Sequence, residues 1–275
     1  MRIARSLVVL LVIAGLMAGY VQMAVAADVT PVAPVLDRIV SKKELVVGTA
    51  ASMPPLNMTM KDGQIAGVEI DLARLIASAL DVKLTVKPMR FNDLLPALQA
   101  GQVDMVLSGM TITPARNLKV AFVGPYGVTG KSILTKQSAA ESMSEVDRIN
   151  KPERILVALK GSTSQTFAEK LFPQAKLLLA DDYDQAVSMV RQDKAQAMVA
   201  DMAICQLSVY RYPDAGLTAL GKPLSYEPLG IAIPANDPLL VNLLQNFLNT
   251  LDKDGTMETM MRRWFKDSWW VSNLR

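Results

Sequence analysis

Ser108-Gly109-Met110-Thr111-Ile112-Thr113-Pro114-Ala115-Arg116 ends an apolar run, Met105-Val106-Leu107, at a glycine and restarts the chain as a helix. Thr113 is placed to cap that helix, and Pro114 fits its first turn, where a missing N–H costs nothing. Arg116 then faces the positive end of the helix dipole, an unfavourable place for a cation. An anion in front of the helix accounts for it, because backbone N–H groups and a guanidinium fork together cradle a carboxylate or phosphate. A pairing with a nearby surface Asp or Glu accounts for it as well, and this motif alone leaves both open.

Strands and helices alternate on the N-terminal side of this stretch. Glu44 to Thr49 reads as a short buried strand, and Ile70 to Leu80 as a helix with Leu72, Leu75, Ile76 and Ala79 on one face. Lys83 to Lys87 alternates as a strand, Asn92 to Gln99 reads as a helix capped at Asn92, and Val103 to Leu107 is the strand that leads into the motif. This order predicts a mostly parallel sheet with helices on both faces.

The same rhythm restarts downstream. A strand over Lys131 to Thr135 and a polar segment over Lys136 to Pro152 precede a second cycle. It runs through a strand at Ile155 to Leu159, a helix from Ser162, a strand at Lys176 to Leu179, a helix at Asp184 to Arg191 and a strand at Ala195 to Ala200. The echo predicts two α/β lobes rather than one long sheet. Gly230 to Ile233 reads as another crossing strand, and two helices, Pro238 to Leu251 and Thr256 to Phe265, follow around the stop signal Asp254-Gly255.

The ends and the composition limit what the chain can do. Arg2 and Arg5 precede an apolar core from Leu7 to Gly19 and the small-residue site Ala24-Val25-Ala26, the pattern of a secretory signal over residues 1–26. The run is too short for a comfortable membrane span, so a soluble exported protein is expected, with no lipid-bearing cysteine near the cut. Cleavage leaves 249 residues and lowers the net charge from +3 to about +1, which gives no sign of a nucleic-acid or acidic-surface partner. Histidine is absent, which removes Ser-His-Asp and Cys-His schemes and the commonest zinc ligand. No metal or cofactor is expected. Cys205 is the only cysteine, so no intrachain disulfide forms; its apolar neighbours mark it as a small buried hydrophobe.

Ligands of open α/β sheets lie beyond the carboxyl ends of the strands. Asp201 stands there, directly after the apolar run Ala195 to Ala200, as a ligand contact or as the cap of the next helix. Gly161-Ser162-Thr163-Ser164 also joins a strand to a helix, as an anion site or as a simple cap. Taken together, a guanidinium in one half and a carboxylate in the other complement a zwitterion: the α-carboxylate on Arg116 and the α-ammonium on Asp201.

At these residues the chain resembles the periplasmic solute-binding proteins of polar amino-acid ABC importers. The resemblance runs from about Leu45 to Phe265. It rests on Gly48 to Leu56, Gly67-Val68-Glu69-Ile70-Asp71-Leu72-Ala73, Leu94-Leu95-Pro96-Ala97-Leu98, Asp104, and Met110 to Arg116. Val120-Ala121-Phe122, Pro125-Tyr126, Gly161-Ser162-Thr163, Asp254-Gly255-Thr256 and Trp264-Phe265 extend it. It implies the two-lobed periplasmic-binding-protein fold of type II, each lobe a mostly parallel sheet flanked by helices, joined by two crossing strands. The expected division is a signal peptide at 1–26, a first lobe of 27–128 with 227–275, and a second lobe of 129–226. By the same resemblance Arg116 holds the ligand carboxylate with N–H groups at Thr111 and Thr163, beside Ser162, and Asp201 and the Gly109 carbonyl hold the ammonium. The implied partners are an amino acid and an inner-membrane ABC permease, and the protein is expected to act as a periplasmic monomer, not as an enzyme.

Departures from the family pattern bear on the ligand. Met53 and Leu56 stand where many members place aromatic rings, Phe91 alone keeps a ring, and Ala50 replaces an acid common in members that take basic amino acids. A neutral, fairly apolar ligand side chain is therefore expected, with Met53 against it and Phe91 in the matching region, while Arg90 and Lys160 flank the site in sequence and either could reach a second carboxylate, which leaves an acidic ligand open. Periplasmic cyclohexadienyl dehydratases look like this family too, and with them Asp201 would be a proton donor. A sensor that presents its closed form to a receptor is the third alternative.

Overall fold

The computed structural model describes residues 32–141, 145–267 and 269–274. The secretory signal expected over 1–26 lies outside the described residues. In chain order the strands are β1 (Glu44–Thr49), β2 (Ser52–Met53), β3 (Asn57–Thr59), β4 (Ile65–Ala66), β5 (Lys83–Pro88), β6 (Met105–Val106) and β7 (Ala121–Thr129). They continue as β8 (Lys131–Lys136), β9 (Ile155–Leu159), β10 (Lys176–Ala180), β11 (Ala197–Asp201), β12 (Leu217–Ala219) and β13 (Glu227–Ile233).

Among the described residues there are two five-stranded sheets, ordered β5-β1-β6-β13-β7 and β10-β9-β11-β8-β12, and a small third sheet β2-β3-β4. The parallel expectation holds for β5-β1-β6 and for β10-β9-β11. One strand of each sheet is reversed, β13 pairing antiparallel with β6 and β7 and β8 with β11 and β12, so both sheets are mixed. The reason lies in the connections: strands joined through helical crossovers come back parallel, whereas β7, β8, β12 and β13 carry the chain between the sheets by short links. At the first link, a Cβ on Gly130 would lie 2.4 Å from the Ser225 carbonyl oxygen, so the outgoing and returning chains press together there.

Period-2 alternation sets the second sheet between two apolar layers. Leu134, Val157 and Met198 face the large core that continues into the first sheet, while Ile133, Leu156 and Val199 face a smaller cluster with Ile149, Ala168 and Phe172. In the first sheet, the helix Val68–Ala79 buries Val68, Leu72, Ala73, Ile76 and Ala77; of the face its sequence predicts, Leu72 and Ile76 are buried, Leu75 is half-buried and Ala79 is exposed. Several expected bounds move by one to three residues, and one cap is different. Asn92 does not cap a helix; Phe91–Asp93 form a single 3-10 turn and the α-helix begins at Leu94. The Asn92 amide instead donates to Asp93 Oδ1 at 3.0 Å, the local bond that competes with capping in Asn-Asp pairs.

Candidate ligand-binding site

The loop after β6 is held from below by a buried carboxylate. Gly109 adopts φ +57°, a backbone conformation glycine enters without strain, and its N–H donates to Glu69 Oε1 at 2.6 Å. Tyr126 donates its hydroxyl to the same oxygen, and the Asn57 amide donates to Glu69 Oε2 at 2.6 Å. Burial raises the Glu69 carboxyl above its ordinary range, and the three donors oppose that shift by favouring the charged form. The Gly109 peptide is thereby oriented from a helix of the first sheet.

Beyond the loop, Thr113 caps the short helix Pro114–Asn117 by accepting the Arg116 N–H at 3.2 Å, as the sequence predicts. The Arg116 guanidinium donates to the Thr111 carbonyl at 2.8 Å and to the Gly161 carbonyl at 3.2 Å, and its centre lies 5.7 Å from the Phe91 ring. Thr111 bridges Leu229 of β13 in the first sheet, whereas Gly161 lies just before the helix Thr163–Leu171 that packs on the second sheet. Thr111 and Thr163 bring their hydroxyl oxygens to 3.3 Å across the same boundary. Among the described residues no carboxylate forms an ion pair with Arg116. Loss of solvent pulls its guanidinium down to about 10, while Glu227, Asp201 and Tyr183 act in the opposite direction, so it stays cationic at neutral pH.

Asp201 does not spend its side chain on a cap. It sits at the N-cap position of the helix Met202–Arg211, yet makes no capping bond. Its partner is Lys131, which faces it directly in the antiparallel β11–β8 ladder and places Nζ 3.0 Å from Oδ1. Tyr183 donates its hydroxyl to Oδ2 at 3.1 Å; burial and the Asp201 charge hold that phenol well above its ordinary range, so it remains a neutral donor. Lys131 also lies 3.6 Å from Glu227, the first residue of β13, and Ser225 donates to the other Glu227 oxygen at 2.9 Å. Lys131 is 1% exposed, Asp201 7% and Glu227 8%, so two carboxylates share one ammonium out of bulk water. At formal charges the triad carries one negative charge in excess, and Arg116 carries one positive charge without an ionic partner.

A cavity of about 330 Å³ opens beside Asp201. Met53, Leu56, Tyr126, Leu229 and Ile204 give it a mainly apolar wall, and Arg116 is not among its lining residues. A second cavity of about 320 Å³ lies on the Tyr183 side, with Ser52, Thr59, Asp182 and Arg211 in its wall.

The expected site residues thus fall at one boundary between the sheets. Arg116, Thr111, Thr163 and Phe91 gather on the guanidinium side, Asp201 and Met53 at the apolar cavity, and Gly109 packs on Met53, whose Cε lies 2.6 Å from the position a Gly109 Cβ would take. The Ser162 hydroxyl is engaged locally: it donates to the Leu159 carbonyl at 2.7 Å and accepts the Gln165 N–H at 3.2 Å, the capping alternative. Arg90 turns to Asp93 at 2.9 Å on the surface. Lys131, Glu227, Tyr183 and the role of Glu69 were not foreseen. A lysine opening a strand and a glutamate before one read as solvated ends, and only the pairing of distant strands brings them to Asp201.

Residues 45–267 match the bacterial extracellular solute-binding proteins, family 3. The chain is 29% identical over 208 residues to the ABC transporter glutamine-binding protein GlnH of Bacillus subtilis, covering 74% of each sequence. It is similar to the crystal structure of an ancestral amino-acid-binding protein described as a precursor of cyclohexadienyl dehydratase, with TM-score 0.76, 36% identity, and coverage of 84% of this chain and 98% of that one. The binding component of an ABC transporter from Wolinella succinogenes, complexed with lysine, is similar with TM-score 0.79, 36% identity, and coverage of 84% and 99%.

Proposed function

We propose, from the premise that the chain belongs to the bacterial extracellular solute-binding proteins of family 3, that it captures an amino acid of neutral, fairly apolar side chain in the periplasm and delivers it to a membrane permease. One observation carries this: the site holds an unpaired guanidinium at one end and a buried triad with one excess negative charge at the other. A zwitterion satisfies both ends and leaves the site neutral, whereas a simple acid or a simple amine satisfies one.

In this reading Arg116 binds the α-carboxylate, assisted by the N–H groups of Thr111 and Thr163. Asp201, with both oxygens engaged yet with lone pairs to spare, accepts the α-ammonium with the Gly109 carbonyl. The ligand side chain extends among Met53, Leu56, Tyr126 and Ile204, whose surface stabilises an apolar group by about 25 cal/mol per Å² buried. The first lobe comprises 27–128 and 227–275, the second 129–226. Strands β1, β5–β7 and β13 against β8–β12 support that division. A ligand that touches both lobes favours the closed arrangement, because only there are both charges met.

The protein acts by binding rather than by catalysis. A dehydratase would need a carboxylic acid in the cleft as proton donor, and the side chain placed for that role, Asp201, is engaged by Lys131 at 3.0 Å and by the Tyr183 hydroxyl at 3.1 Å. Calorimetric titration against the standard amino acids tests the proposal: binding of leucine, methionine or phenylalanine at 1:1 is expected. A folded protein silent across the whole panel removes it, and release of phenylpyruvate from prephenate would establish the enzyme in its place.

A further inference from the structure

We propose that Glu227, acting through Lys131, decides whether the site demands an ammonium group on its ligand. The inference rests on the zwitterion reading above. Asp201 and Lys131 by themselves form a neutral pair, fixed face to face by the β11–β8 register and joined at 3.0 Å. A neutral pair has little reason to attract a further cation. The excess negative charge enters with Glu227, from β13 of the other sheet, 3.6 Å from the same Lys131 Nζ. Ser225 fixes it there, donating to Glu227 while accepting the Lys131 backbone N–H at 3.1 Å.

Glu227 therefore touches no ligand atom in this scheme and works as a positioning residue. It shares the Lys131 ammonium with Asp201, at 3.6 Å against 3.0 Å, so that one ammonium does not compensate both carboxylates and negative charge is left for an incoming ammonium. With Glu227 ionised, the triad prefers an amino acid over the 2-oxo acid of the same side chain. Without that charge the triad is neutral, and Arg116 and the apolar cavity dominate recognition of both ligands alike. Lys131 has the opposite effect: removing its charge leaves two uncompensated carboxylates and heightens the demand for a cation. The specificity of the head group is thus set by three residues from two sheets, of which only Asp201 faces the ligand.

The test uses the full-length exported protein and three probe pairs, L-leucine, L-methionine and L-phenylalanine, each against its own 2-oxo acid. Calorimetry gives the ratio of dissociation constants within a pair. In Glu227→Gln, which keeps shape and an acceptor for Ser225, the preference for the amino acid is expected to fall by about tenfold or more, the size of one charge acting through a partly screened interior. In Lys131→Gln the preference is expected to rise, which keeps the proposal decidable if the first variant does not fold. A merely structural role for Glu227 would weaken both members of a pair together and leave the ratio unchanged; that result overturns the proposal. Wild-type protein that binds no amino acid at all removes the zwitterion reading and this inference with it, whereas normal binding with an unmoved ratio removes this inference alone.

Discussion

Lys131 and Asp201 occupy opposing positions of the β8–β11 ladder, and their side chains meet at 3.0 Å in a setting that leaves Lys131 1% exposed. A lysine buried to that degree is costly unless carboxylates surround it, and Asp201 and Glu227 do so from two different sheets. The same contact determines what Asp201 can offer a ligand. It is a carboxylate held in place by its own cation, not a lone charge waiting in a cleft.

Replacement of Asp201 by Asn is expected to weaken amino-acid binding by about 2–5 kcal/mol, the usual cost of truncating one member of a buried charge pair. Stability should fall too, because Lys131 then keeps only Glu227 at 3.6 Å. Calorimetry on the variant, with a urea melt alongside, separates the two effects. Unchanged affinity would show that the ammonium binds elsewhere.

Arg116→Ala should abolish binding while leaving the fold nearly intact. Arg116 is half-buried, and its side chain donates to two backbone carbonyls and lies over Phe91 without supporting a core. A stability change within roughly 1 kcal/mol is expected, as for other substitutions outside the core. A larger drop in melting temperature, with ligand binding retained, would place Arg116 among the structural residues.

Glu69 gives a pH dependence whose sign follows from its burial. Its carboxyl is raised above the ordinary value of 4.5, so the folded state binds the proton more tightly than the unfolded state. The stability it contributes is full below 4.5 and is lost as pH rises through the higher folded value. Urea denaturation should therefore show the native protein more stable relative to Glu69→Gln at about pH 4 than at about pH 7. A difference that is flat or grows with pH contradicts this assignment.

Cys205 lies on the helix Met202–Arg211, fully buried, with its thiol pushed up to about 12 by the loss of solvent first and the nearby Asp201 charge second. A thiol reagent at mildly alkaline pH should leave the native protein unmodified and label it once guanidinium chloride unfolds it, since only an accessible thiolate reacts. Rapid labelling of the native protein would mean that this helix opens readily.

Along the chain, local signals were enough for most elements. A continuous apolar run marked β9 over Ile155–Leu159, Thr113 announced its cap, and the repeated strand–helix rhythm implied two sheets, whereas Ser162 read equally as an anion contact. Arg116 and Asp201 were legible because a cation in a first helical turn and a carboxylate after an apolar run each break a local rule. The reversed strand of each sheet was not legible, since strand direction depends on which distant segment pairs with which. Nor was Lys131 in the triad, because a lysine at a strand's first position reads as a solvated end until β11 lies beside it and Glu227 arrives from the other sheet. Hydrophobic periodicity and capping act over a few residues, so the sequence alone determined the elements and the two charged poles. Charge compensation acts over a few ångströms between residues 70 and 96 positions apart, so only the tertiary structure decided what those poles carry.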